Sequence, residues 1–169
     1  MIDIEQQTLS LIKKNKSFSK DILDYYGDEL YAVLYLLFSK DKKQILSKKK
    51  TADLALCRKA FCSALCINHD LHPSEVARFI NRDRTSILYY LKNHEGDYEY
   101  YKEYTEAYDV VSAHINQILD TDNVMNFYDE KTKELKQIEI IKNRVNQLSK
   151  ENTTLKEQLN NLKNIINYG

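Results

Sequence analysis

The clearest chemistry in this chain sits in six consecutive residues. Asn81-Arg82-Asp83-Arg84-Thr85-Ser86 stand immediately before Ile87 and Leu88, which with Leu91 are core candidates, and five of the six carry groups useful for reading DNA bases. Arginine can grip guanine, aspartate can accept from the cytosine amine, and the threonine methyl can meet a thymine methyl. A helix that starts here also favours anions such as phosphates. The bland counterpart is a charged, solvated helix cap, since charges gather at helix starts for dipole reasons alone.

Other chemistry-bearing groups carry less. Cys62, Cys66 and His69 fall at i, i+4 and i+7 of one helix, with His72 nearby. Such ligands can share a metal, but no Cys-x-x-Cys pair exists, and buried free cysteine is an ordinary small hydrophobe. Ser, His, Asp and paired carboxylates occur without a spacing that gathers them, so the chain is not expected to be an enzyme. Glycine occurs only at 27, 96 and 169. A phosphate-cradling P-loop therefore cannot be built, and neither nucleotide nor any other cofactor is expected.

The elements that must position 81–86 read as helices throughout. Three Gly and one Pro in 169 residues leave too few turn formers for a many-stranded sheet. Helices are expected over 1–16, 19–26 and about 28–38, then a short turn over 41–46. A long helix follows, capped by Thr51 or Asp53 and carrying Leu54, Cys57, Phe61 and Leu65. Pro73 opens a helix to about 80, and a turn over 81–83 leads into a helix over 84–94 that Gly96 ends. Tyr101, Tyr104, Tyr108, Val111, Ile115 and Ile118 form one apolar stripe. The segment 120–123 interrupts that stripe and can cap a last helix over 124–166.

Residues 30–94 resemble the C-terminal DNA-binding domain of the bacterial replication initiator DnaA. Its signature, near Gly-Arg-Asp-His-Thr-Thr-Val, is matched by Asn81-Arg82-Asp83-Arg84-Thr85-Ser86-Ile87, and Ser47-Lys48-Lys49-Lys50 corresponds to its basic loop. The resemblance implies a helix-turn-helix over 51–94 with Arg82, Asp83, Arg84, Thr85 and Ser86 facing DNA. It also implies Lys50 in the place of a minor-groove arginine and Arg58 in that of a phosphate-contacting arginine. Three positions depart from the pattern: Arg84 replaces the signature His, Asn81 its Gly, and Lys50 the minor-groove Arg. A changed base-contacting side chain changes the target, so the family's usual DNA box is not expected.

The C-terminal segment reads as a coiled coil. With Ile138 at heptad position a, the a sites are Ile138, Val145, Asn152, Leu159 and Ile166, and the d sites are Ile141, Leu148, Leu155 and Leu162. β-branched residues at early a sites with Leu at most d sites favour two parallel strands, and one Asn at a fixes register. Glu151 at g can reach Lys156 at e of the second strand. The alternative is an antiparallel fold-back of 124–166 onto the Tyr101–Ile118 stripe.

Composition sets the frame around these motifs. The chain is 43% apolar and 30% charged, with a formal net charge of zero. That neutral total hides basic residues over 40–59 and acidic residues over 95–109, and local fields govern association with polyanions. No signal-peptide core or membrane-length apolar run is present, and three cysteines suit a reducing cytoplasm. The reading is all-α: an N-terminal helical extension (1–29), a helix-turn-helix domain (30–96), an acidic Tyr-rich helix (97–122) and a coiled-coil dimerisation helix (123–169). The expected function is sequence-selective binding of double-stranded DNA as a parallel homodimer, in bacterial or bacteriophage replication or transcription control without ATPase activity. The rival is a structural or interaction protein whose helical domain no longer binds DNA.

Overall fold

A computed structural model describes residues 16–168, so the helix expected over 1–16 lies outside them save for Lys16. The chain is all-α, with no strand among the described residues. Eight helices are described: α1 Lys16–Tyr25, α2 Gly27–Phe38, α3 Lys42–Leu46, α4 Ala52–Ile67, α5 Pro73–Phe79, α6 Arg84–Tyr100, α7 Lys102–Ile118 and α8 Thr121–Tyr168. The chain divides into two units, 1–125 and 126–169.

In the first unit α4 is the central element. Leu54, Cys57, Ala60, Phe61, Cys62, Ser63, Ala64 and Leu65 are buried all around it, so it is not the one-sided helix of a surface layer. Its Ala, Ser and Cys positions let neighbours approach closely, and α7, α6, α5, α3 and α2 all pack on it. Thr51 rather than Asp53 caps it, accepting from the Leu54 amide. Asp41 and Gln44 form a capping box at α3. Gly27 begins α2 and is buried, and an added Cβ would stand 3.1 Å from the Phe79 ring, so the close approach of that ring suits glycine.

Helices α5 and α6 are joined by the short connection 80–83. Pro73 opens α5 as expected, with the His72 Nδ1 accepting from the Ser74 amide. Asn81 then takes φ 53°, and the Arg82 amide bonds the Ala77 carbonyl at 2.8 Å to close the turn. Asn is among the few side-chain-bearing residues that adopt this left-handed conformation at low cost.

Two boundaries differ from the sequence reading. The helix expected to stop at Gly96 continues to Tyr100, since Gly96 costs only about 1 kcal/mol inside a helix and packing outweighs it. Tyr101 stands between α6 and α7 on extended backbone, 63% exposed, so the apolar stripe begins at Tyr104. From there Tyr104, Ala107, Tyr108, Val111, Ser112 and Ile115 are buried, with α7 packed on α4 and α2. Asp120 caps the start of α8, its carboxylate accepting from the Asn123 amide at 2.7 Å.

In the second unit, Ile138, Ile141, Val145, Leu148, Leu155, Leu159, Leu162 and Ile166 of α8 are all exposed, between 46% and 77%. Asn152 is exposed among them.

Candidate nucleic-acid interface

The basic loop and the start of α6 are held together by side chains that grip the loop backbone. Arg58 projects from α4 and is 2% exposed. Its Nε donates to the Ile45 carbonyl at 3.0 Å and its Nη1 to that of Lys49 at 2.7 Å. Its Nη2 donates to the carbonyls of Gln44 (2.9 Å) and Ser47 (2.8 Å). Arg82 reaches the same Ser47 carbonyl, and Asn81 Nδ2 donates to the Leu46 carbonyl at 3.1 Å. One guanidinium thus donates to four backbone carbonyls of α3 and the loop, those of Gln44 and Ser47 also accepting from Ser47 and Arg82 respectively.

This geometry reassigns two expected site residues. Arg58 does not stand at the surface as a phosphate-contacting arginine; it is buried and braces the loop from beneath. Arg82, expected to face DNA, is half-buried and turned toward the loop, its Nη1 donating to the Asn81 carbonyl at 3.1 Å. Burial lowers the Arg58 pKa from its ordinary value, and the neighbouring Arg82 charge lowers it further. Two cations therefore lie under the loop and add to its positive field.

What this scaffold presents outward is the remainder of the set. Lys48, Lys49 and Lys50 are exposed, as are Asn81, Asp83, Arg84 and Thr85, while Ser86 is half-buried. Asp83 occupies the N-cap of α6 without a side-chain capping bond, so its carboxylate is not consumed by the helix start. Among the described residues Lys48, Lys49, Lys50, Arg84 and Lys92 form no ion pair. Elsewhere in the unit, cations are matched: Arg78 pairs with Asp24 and Glu75, Lys42 with Asp28, and Lys59 with Asp97.

The exposed face of α6 extends beyond the residues picked out by sequence. Only Ile87 is fully buried on this helix. Leu88, expected in the core, is 41% exposed, and Tyr89 is 63% exposed. With Thr85 and Lys92 they make one outward stripe at i, i+3, i+4 and i+7. Glu95 and Glu99 continue the same face and are exposed. The face thus runs from basic, through apolar, to acidic. The i+3 and i+4 spacing from Thr85 was readable in sequence, but Leu88 was absorbed by the expected core.

No protein family, curated protein or solved structure matches this chain.

The cysteines stand apart from this surface. Burial pushes the thiols of Cys57 and Cys66 up to about 12 and raises that of Cys62 as well. Among the described residues no group of three His, Cys, Asp or Glu side chains is arranged to hold a metal. No described helix is long and apolar enough to cross a membrane.

Proposed function

We propose that the first unit binds double-stranded DNA, with the N-terminal half of α6 in the major groove and Lys48, Lys49 and Lys50 on the adjacent backbone. The carrying observation is the docking of the basic loop onto the helix-turn-helix through Arg58, Arg82 and Asn81. That docking holds three unpaired lysines beside the exposed Arg84 and Thr85. A recognition helix reads bases with its first turns while flanking cations grip phosphates, and the two tasks need a fixed mutual placement. The acidic end of α6 supports the same orientation, because Glu95 and Glu99 would be repelled by phosphates if the helix lay flat along its length.

The resemblance to the DnaA DNA-binding domain gains physical support from Asn81. Its positive φ is a conformation that Gly, the residue at this place in that signature, adopts most readily, and Asn is the next residue to adopt it. Dimerisation through α8 is the second part of the proposal. A helix with apolar residues exposed at eight of nine a and d sites stabilises itself by pairing, and Asn152 selects a parallel second copy. Two α6 helices in one dimer would engage two half-sites, with avidity compensating for a modest single module. The setting is replication or transcription control in the cytoplasm.

The test is duplex binding by fluorescence anisotropy with wild type, Arg84→Ala and Lys48→Ala/Lys49→Ala. Arg84 and both lysines are exposed, so these variants keep their melting temperature. They are expected to lose at least tenfold in affinity. Undiminished binding by Arg84→Ala would overturn the placement of α6. If no variant, wild type included, binds duplex, the α8 interaction surface becomes the better account of the protein.

A further inference from the structure

The middle of the α6 face is apolar, and this decides what it can read. Leu88 (41% exposed) and Tyr89 (63% exposed) lie one turn beyond Arg84 and Thr85, between the basic start and Lys92. Their neighbour Ile87 is fully buried and anchors the helix, so the outward direction of residues 88 and 89 is fixed by packing rather than by a mobile loop. Tyr89 touches only the edge of Tyr90 among the described aromatic rings, with centroids 6.5 Å apart. A helix serving only as a solvated phosphate clamp gains nothing from a Leu and a Tyr in the second turn of its exposed face.

In the major groove the one methyl group that a base pair presents is the C5-methyl of thymine, beside hydrogen-bond donors and acceptors. Polar base edges opposite Leu88 would lose water without gaining a partner, which disfavours G·C pairs at that depth. Resting on the DNA reading above, we infer that Leu88 and Tyr89 are specificity-determining residues selecting thymine methyl groups. The target is then a duplex in which the bases read by Arg84 are followed by A·T pairs with thymine facing the second turn of α6.

The experiment begins with selection from a randomised duplex pool, and the recovered site is resynthesised with deoxyuridine replacing each thymine in turn. This removes one methyl group and leaves every Watson–Crick group in place. Wild type is expected to lose about fourfold in affinity at one or two positions, the equivalent of one buried methyl each. Leu88→Ala/Tyr89→Ala is expected to bind the thymine and deoxyuridine duplexes alike at those positions. Leu88 and Tyr89 lie outside the buried core, so the double variant keeps its fold, which circular dichroism checks. Equal binding of both duplexes by wild type overturns the inference while leaving DNA binding intact. Persistence of the discrimination in the double variant overturns it as well. Failure of wild type to enrich any duplex removes the DNA reading and this inference together.

Discussion

Replacing Arg58 by Ala would leave the carbonyls of Gln44, Ile45, Ser47 and Lys49 without their shared donor, in surroundings buried at Ile45 and part-buried at the other three. The expected cost is about 2–4 kcal/mol, seen as a lower melting temperature, with DNA affinity falling because the loop is no longer held. Arg84→Ala should lower binding as well, but with no change in melting. Sequence alone ranked these arginines together because charge is readable in one dimension and burial is not. A second residue-scale outcome concerns His94, which contacts the rings of Tyr98, Tyr104 and Tyr108 and bonds the Tyr104 hydroxyl at 2.8 Å. Burial, the largest cause, and Lys59 hold its pKa below the ordinary 6.5, against an opposing pull from Glu95. As pH falls below that value the unfolded chain takes up the proton first, so the folded state loses stability until His94 itself titrates. Thermal melts between neutral pH and about pH 5 should show a falling midpoint, and His94→Gln should flatten that slope.

Helix α6 was legible in outline and misread at its end. Arg84 as its first residue followed from the turn chemistry of 81–83, but Gly96 was given a terminating role that its own geometry does not require. Its φ is not positive, and a Cβ added there meets nothing within 4 Å. Gly96→Ala is therefore expected to stabilise the first unit by about 0.5–1 kcal/mol, measured by chemical denaturation; destabilisation would mean that the helix does not run unbroken through this point. The Tyr-rich segment shows the complementary lesson. Its period predicted a stripe correctly from Tyr104 to Ile115, yet nothing in the period said what the stripe meets. The structure sets it against α4 and α2. That packing buries the stripe within the first unit.

At the scale of the molecule, the all-α class and the long last helix followed from scarce turn residues and heptad spacing, while the bracing of the loop required three dimensions. Exposed apolar residues from Ile138 to Ile166 support the proposed pairing with a second copy. Sedimentation equilibrium should give a dimer for wild type and a monomer for Leu148→Asp, with the folding of the first unit unchanged. The most direct test of the central claim is the salt dependence of duplex binding. Lys48, Lys49, Lys50, Arg84 and Lys92 are exposed and free of ion pairs among the described residues, so each can neutralise a phosphate. The logarithm of the association constant should fall linearly with the logarithm of salt, and each lysine of the loop replaced by Ala should reduce the slope by about one. A flat salt response, or slopes indifferent to Lys48, Lys49 and Lys50, would contradict a DNA interface on this face.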